Sequence, residues 1–390
     1  MKIFLVGGGS GGHITPTLAV AHELKQQAAS AELIYVIGKG DKLGDVVTNN
    51  PIIDGVRAIH SGKLRRYHGE GLRQLLDIPT LFKNIRDVFL ILAGIVESFF
   101  LLRKERPDIL FIKGGFVGVP LGLMAALLHI PYITHDSDAV PGLANRIIAR
   151  WAVAHAVAMP KEVYSYPKGK TYETGVPISA DYVMVTAERQ TAYKTELGLD
   201  PKNPVVLVTG GGLGAQRLNE AVAQISKALI ARHARLRIVH VAGRGKVDSL
   251  TALYKKALGI KAAQVVVEEF VDGFYRYSGA ADVIIARAGA TNLAEFAAQA
   301  KACIVVPNQQ LTGGHQLKNA EVLEKAGAIV CVSDEAVQKN PELLLQQVER
   351  LLDDPRARLS LARELHKTST SDAAEQLAEL ILDSLQKAKA

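Results

Sequence analysis

Gly7-Gly8-Gly9-Ser10-Gly11-Gly12-His13 stands between the apolar run Ile3 to Val6 and a helix-length segment, Thr15 to Gln27. Small residues at a strand-to-helix turn let backbone N–H groups approach a diphosphate at a helix N-terminus. Gly7, Gly9 and Gly12 also have the G-x-G-x-x-G spacing of dinucleotide loops, but that spacing does not say what the diphosphate is attached to. His13 sets this loop apart. The positive end of a helix disfavours imidazolium, so His13 is expected to be neutral near pH 7, the state a general base needs. A histidine that merely caps or packs is the plain alternative. Pro16 favours a helix start nearby.

A second loop, Gly210-Gly211-Gly212-Leu213-Gly214-Ala215, follows the run Val205 to Val208 and leads into a helix expected from about Ala215 to Arg232. One such loop can be only a tight turn; two in one chain point to two diphosphates, one per domain. After the strand Val283 to Ile285, the segment Arg287 to Glu295 again starts a helix with small residues and puts a carboxylate in its second turn. Glu295 can accept both hydroxyls of a ribose diol, or be an ordinary helix-surface glutamate. Pro307-Asn308-Gln309-Gln310 and Gly313-Gly314-His315-Gln316 offer amides to sugar hydroxyls, although loop polarity alone would explain them. His135-Asp136-Ser137-Asp138 contains an Asp-x-Asp pair able to hold Mg²⁺ or Mn²⁺. The two loops and their helix ends already supply the positive field a diphosphate leaving group needs, so no metal and no cofactor is expected.

Apolar runs at Ile3 to Val6, Leu33 to Ile37, Ile109 to Ile112 and Tyr132 to Thr134 alternate with helix-length segments. Continuous apolar strands flanked by helices predict a parallel sheet covered on both faces, with ligands at the carboxyl ends of the strands. The pattern restarts at Val205 and continues through Arg237 to Ala242, Val265 to Val267, Val283 to Ile285 and Cys303 to Val306. The fold class expected is therefore α/β, with two doubly wound domains facing across a cleft. The expected divisions are residues 1–165, a linker at 166–182, a second domain at 183–360, and helices at 361–390 that pack back on the first domain. Between Gly62 and Pro107, Lys63, Arg65, Arg66, Arg73, Lys83 and Arg86 are interleaved with leucines and other apolar residues. That segment is either a membrane-touching surface or a solvated basic helix pair. The run Val88 to Leu102, carrying Glu97, is too short to span a bilayer and is expected to be a buried helix.

The 390 residues suit two domains, and the formal charge of +7 favours anionic partners without choosing among them. Cys303 and Cys331 both fall in apolar runs, which argues for buried free thiols rather than a disulfide. The apolar N-terminal run is cut short by glycines and resembles neither a signal peptide nor a membrane span, so a cytoplasmic location is expected.

Taken in order, these motifs resemble the MurG family, the inverting GT-B N-acetylglucosaminyltransferases that act on lipid I in peptidoglycan synthesis. The resemblance spans nearly the whole chain. It rests on Gly8 to His13, Gly114-Gly115-Phe116 with Pro120, His135 to Asp138 with Pro141-Gly142-Leu143-Ala144-Asn145, Gly210 to Ala215, Arg287 to Glu295, and His315-Gln316 with Asn319-Ala320. It implies that Ser10, Gly11, Gly12, Gly115 and Phe116 lie near the acceptor diphosphate, with His13 as the base and with Asp138 and Asn145 among the substrate-binding residues. Gly211, Gly212, Leu213 and Gly214 would hold the donor diphosphate, and Phe270 and Val271 would border the uracil. Arg287, Gly289, Ala290, Thr291, Asn292, Leu293 and Ala294 would also bind donor, with Glu295 on the ribose and His315 and Gln316 near the N-acetylglucosamine. Departures are Gly212, where members often have Ser, Ser179, where many have Arg, and Asp138, where some have Asn.

What the resemblance implies is transfer of N-acetylglucosamine from UDP-N-acetylglucosamine to the C4 hydroxyl of an undecaprenyl-diphosphate-linked muramyl pentapeptide. The setting would be an anionic membrane surface, peripherally on the cytoplasmic face of the bacterial plasma membrane, with no nucleic acid involved. Rival readings are a glycosyltransferase for another lipid acceptor and a UDP-N-acetylglucosamine 2-epimerase. A nicotinamide oxidoreductase would need an acid after the second strand, for which Asp41 is a poorly placed candidate.

Overall fold

The computed structural model describes residues 1–9, 11–41, 43–62, 78–212, 214–309 and 314–389. Two compact units share the chain, one built mainly from Met1–Ala180 with the segment from Thr370 onward, the other from Asp181–Gln309 and Gln316–Ser369. The first runs β1 (Lys2–Val6), α1 (Gly11–Gln27), β2 (Glu32–Gly38), α2 (Gly44–Thr48), β3 (Gly55–Ile59), α3 (Ile78–Glu105), β4 (Ile109–Ile112), α4 (Gly118–Leu127), β5 (Tyr132–Asp136), α5 (Leu143–Ile148), β6 (Ala154–Val157) and β7 (Thr171–Glu173). The second runs α6 (Ala187–Glu196), β8 (Val205–Thr209), α7 (Gln216–Arg232), β9 (Arg237–Val241), α8 (Val247–Leu258), β10 (Val265–Glu268), α9 (Phe274–Ala280), β11 (Val283–Ala286), α10 (Ala290–Ala298), β12 (Cys303–Val305), α11 (His315–Lys325), β13 (Val330–Cys331), α12 (Asp334–Lys339), α13 (Glu342–Asp353) and α14 (Pro355–His366). The last helix, α15 (Ala373–Lys389), belongs to the first unit.

Each unit is a doubly wound parallel sheet. The first has strand order β3-β2-β1-β4-β5-β6-β7 and the second β10-β9-β8-β11-β12-β13. Every strand pair is parallel; in the first sheet Val6 stands level with Val36 on one side and Ile112 on the other. The order reverses between β1 and β4, and again between β8 and β11. A crevice opens at such a point because the connections on its two sides run to opposite faces of the sheet. The glycine loops identified above follow β1 and β8, so both lie at these reversals.

The segment between 159 and 182 is not structureless: it contributes β7, paired with β6, and buries Tyr164 and Tyr166. The crossing back to the first unit comes at Thr370, which leaves α14 with the second unit. Helix α15 then places Leu377, Ile381 and Leu385 in one apolar cluster with Ile3, Leu33 and Leu24, and Lys389 Nζ reaches Asp108 Oδ1 at 2.7 Å. Cys303 is buried and Cys331 half-buried, both as free thiols.

Helix α3 differs from the buried helix its composition suggests. Phe82, Ile85, Phe89, Leu92, Val96 and Phe100, spaced three or four residues apart and so on one helical face, are exposed, Phe82, Phe89 and Phe100 by 65% or more. The inward face carries Asp87, Gly94 and Ser98 instead. Small size is required there: a Cβ on Gly94 would lie 2.0 Å from the His60 carbonyl oxygen, and one on Gly62 would lie 2.0 Å from that of Asp87. Glu97 clamps the helix from the side, accepting from the His60 backbone N–H at 2.6 Å and from Lys39 Nζ at 2.6 Å. Of the basic and leucine-rich positions before it, Lys63, Arg65, Arg66, Leu72, Arg73, Leu75 and Leu76 lie outside the described residues. Among the described residues, no helix is long and apolar enough to cross a membrane.

Candidate active site

In the first unit two turns flank the reversal between β1 and β4. Gly9, in the turn after β1, has φ +80°, and a Cβ there would lie 2.5 Å from the Phe116 ring, so the position takes glycine for two reasons. Opposite it, Gly114 and Gly115 have φ +115° and +79°. A Cβ on Gly115 would come within 3.0 Å of the Gly8 carbonyl oxygen and 3.2 Å of His13 Nδ1. Asp41, after β2, ties the first turn down: its Oδ2 accepts from the Gly9 N–H at 2.7 Å and its Oδ1 from the Leu43 N–H at 3.1 Å. That leaves Asp41 folded onto the glycine turn itself, unlike an acid held out for a cofactor ribose.

Helix α1 begins at Gly11, earlier than Thr15, so His13 sits in its first turn and Pro16 lies inside the helix. His13 Nδ1 is 2.9 Å from the Gly8 carbonyl oxygen. A carbonyl only accepts, so the ring proton is on Nδ1 and the basic lone pair is on Nε2. Burial lowers the basicity of His13, and the neighbouring Lys113 ammonium lowers it further, against smaller opposing effects of Gly8, Asp138 and Asp41. Imidazole is thus the resting form at neutral pH. Ser10 lies outside the described residues; Gly11 is half-buried and Gly12 exposed at the helix tip.

His135 and Asp136 end β5 rather than following it, and both are buried. His135 Nε2 donates to the Gly175 carbonyl at 2.9 Å, and burial pushes its basicity well down. Asp136 accepts from the Gly142 N–H at 2.9 Å and from the Tyr166 hydroxyl at 2.8 Å. Its carboxylate is therefore an internal brace for the turn into α5 and not one half of an open Asp-x-Asp pair. Asn145, buried, donates to the His135 carbonyl at 2.9 Å, while its Oδ1 finds no partner among the described residues. Asp138 is half-buried and close enough to influence both His13 and Lys113.

The second unit repeats the arrangement. After β8, Gly211 and Gly214 have φ +79° and +67°. A Cβ on Gly214 would lie 2.1 Å from the Ala242 carbonyl oxygen, whereas Gly211 and Gly212 face open space. A serine would fit at Gly212 without displacing anything. The N-cap residue of α7 is Ala215, which makes no side-chain cap to the first N–H groups of the helix. Leu213 lies outside the described residues.

Across the reversal, the turn after β11 leads into α10 with Gly289 at its N-cap and open space beside it. Glu295 is buried, not on the helix surface, and burial pushes its carboxyl up to about 8 although the Tyr182 hydroxyl donates to it. Thr291, Asn292 and Ala294 are half-buried, while Leu293 and Val271 point into the apolar core. Phe270, by contrast, is 54% exposed. Arg287 is engaged within the protein: its Nη1 donates to Asp334 Oδ1 at 2.6 Å and to the Val306 carbonyl at 2.9 Å. It braces the ends of β11 and β12, and its buried Nε has no partner among the described residues. His315 and Gln316 open α11, and Gln316 Oε1 accepts from the Asn308 N–H at 2.9 Å. Gln310 and Gly313 lie outside the described residues.

Three residues escape sequence reasoning: Lys113, which directly precedes the Gly114-Gly115 turn, and Tyr182 and Asp334, which carry no glycine-rich signature. A fourth, Gly243-Arg244-Gly245-Lys246 after β9, could have been found as another small-and-basic turn behind an apolar run. Gly243 and Gly245 have φ +88° and +72°, and Gly243 packs behind Gly214.

Two parallel α/β units, each with a glycine turn and a facing loop at its strand reversal, define the GT-B fold. Residues 3–157 match the glycosyltransferase family 28 N-terminal domain and residues 205–377 its C-terminal domain. A Clostridium perfringens UDP-N-acetylglucosamine–N-acetylmuramyl-(pentapeptide) pyrophosphoryl-undecaprenol N-acetylglucosamine transferase is 32% identical over 351 residues, 90% of each chain. The crystal structure of Acinetobacter baumannii MurG superposes with a TM-score of 0.70 at 25% identity, covering 98% of this chain and 99% of that one. A Neisseria meningitidis UDP-N-acetylglucosamine 2-epimerase shares the fold alone, at 14% identity and a TM-score of 0.69 over 98% and 100% of the two chains. The chain belongs to the MurG family of glycosyltransferases.

Proposed function

We propose that this enzyme moves N-acetylglucosamine from UDP-N-acetylglucosamine to the C4 hydroxyl of an N-acetylmuramyl pentapeptide carried on undecaprenyl diphosphate, with inversion at the anomeric carbon. The observation that carries the reading is His13, whose Nδ1–H donates to the Gly8 carbonyl so that Nε2 is the basic nitrogen, between two glycine turns at the strand reversal of the first unit. In the step proposed, Nε2 of His13 accepts the C4 hydroxyl proton as that oxygen attacks C1 of the donor sugar. The bond from C1 to the UDP oxygen breaks, and UDP leaves as the anion. The N–H groups at the Gly210 to Ala215 loop and the start of α7 meet the leaving charge, which is the work an acid residue or a metal would otherwise do. The commitment of Asp136 to Gly142 and Tyr166 supports a step without a metal. Phe270 takes the uracil face, Glu295 the ribose hydroxyls, and His315 and Gln316 the sugar.

The exposed stripe on α3, with Lys83, Arg86, Arg103 and Lys104 exposed on the same helix, supports a peripheral seat on an anionic leaflet, where the lipid-linked acceptor resides. We place the enzyme on the cytoplasmic face of the bacterial plasma membrane. Replacing His13 by Ala is expected to lower kcat by at least 100-fold while leaving UDP binding in place. Retention of most of the turnover would remove His13 from the base role.

A further inference from the structure

His240 lies in β9, two residues before the Ala242 carbonyl against which Gly214 packs. Its ring belongs to a chain of side chains that are all 2% exposed or less. Nδ1 is 2.8 Å from the Tyr254 hydroxyl on α8, Nε2 is 3.1 Å from Asn219 Oδ1 on α7, and Asn219 Nδ2 donates to the Ala242 carbonyl at 3.0 Å. The last bond sets the direction of the others. A carbonyl only accepts, so Asn219 turns its nitrogen to Ala242 and its oxygen to His240. His240 therefore donates from Nε2. Burial pushes its pKa down to about 3, so the ring is neutral and Nδ1 accepts from the Tyr254 hydroxyl.

The chain ends where the second glycine turn rests. Gly214, at φ +67°, donates from its N–H to the Gly211 carbonyl at 2.8 Å, and a Cβ on it would lie 2.1 Å from the Ala242 oxygen. Ala242 is held from its other side too, its N–H donating to the Glu268 carbonyl at 2.8 Å. Between Val239 and Val241 an apolar side chain would fill the place of His240 with no polar group to satisfy, so the ring nitrogens are what the position uses. We propose that His240 is a positioning residue for the donor: through Asn219 it fixes the Ala242 carbonyl, and with it the geometry that Gly211, Gly212 and Gly214 present to a nucleotide diphosphate. This rests on the second unit taking UDP, and it names what holds the turn that receives it.

The probes are UDP and uridine, which share base and ribose and differ in the diphosphate. Binding of each to the full-length protein is measured by titration, alongside kcat/KM for UDP-N-acetylglucosamine. His240→Leu removes both ring nitrogens, and Asn219→Asp replaces the Nδ2 donor with an oxygen. Each is expected to weaken UDP about tenfold and to lower kcat/KM with it, while uridine affinity stays within about twofold. His240→Gln keeps an N–H donor toward Asn219 and is expected to recover part of the loss. Tyr254→Phe removes only the hydroxyl and should give a smaller loss of the same kind; it decides the matter should the other variants fail to fold. UDP affinity that stays unchanged in folded variants overturns the proposal. So does an equal fall for UDP and uridine, which would mean that the whole unit has loosened. If the unaltered protein binds UDP no better than uridine, the donor assignment itself falls and takes this inference with it.

Discussion

Glu295 shows most sharply what single residues contribute. A carboxyl held up to about 8 by burial is mostly protonated at pH 7, whereas two ribose hydroxyls donating to it favour the ionised form. UDP binding is therefore expected to release close to one proton at pH 7, and affinity should fall as pH drops below about 8, because binding then has to expel the proton. At pH 9.5 the carboxylate is already ionised, so the release should vanish. Calorimetry in buffers of different ionisation enthalpy measures this directly; equal proton release from Glu295→Gln would contradict the assignment. The position of Glu295 was legible as the second turn of a helix after a strand, but its burial was not, because burial depends on the tertiary fold; its hydrogen-bond partner Tyr182, for one, is 113 residues away in sequence. For the same reason the pairing of Arg287 with Asp334, 47 positions later, could not be read from sequence.

Elements were legible where a continuous apolar run ends in glycine, as at β1 and β8. β6 escaped because Ala154-His155-Ala156-Val157 interrupts its run with a histidine that in the fold is buried and neutral, bonded to the Thr134 hydroxyl at 2.8 Å and stacked on Tyr166, 4.1 Å between ring centroids. The exposed stripe of α3 escaped because composition says that a helix has an apolar side and not which side faces the sheet; that choice is made by Gly94 and Asp87 against His60 and Gly62. Replacing Phe82, Phe89 and Phe100 together by Glu should leave the fold intact and weaken binding to anionic vesicles by tenfold or more, measured by sedimentation. Undiminished binding would place the membrane contact elsewhere. Helix α15 makes the opposite prediction. Ile381 is fully buried against the first sheet, so Ile381→Ala should cost about 2–5 kcal/mol, seen as a lower denaturant midpoint for the first unit. A loss under about 1 kcal/mol would mean that the helix is not integral to that core.

Seen as a whole, the chain uses a doubly wound parallel sheet twice and places a glycine turn at the reversal of each. Duplication was readable from the repeated order of strands and loops. In the function proposed above, the acceptor diphosphate goes to one unit and the nucleotide to the other because of the single residues that break the likeness, His13 in one and Glu295 with Phe270 in the other. The most direct measurement combines purified enzyme, radiolabelled UDP-N-acetylglucosamine and undecaprenyl-diphosphate-linked N-acetylmuramyl pentapeptide in vesicles. The predicted result is label in the lipid fraction as a β-linked disaccharide, dependent on the acceptor and on His13. Conversion of the sugar nucleotide to its 2-epimer without acceptor, or no transfer by folded protein, would contradict it.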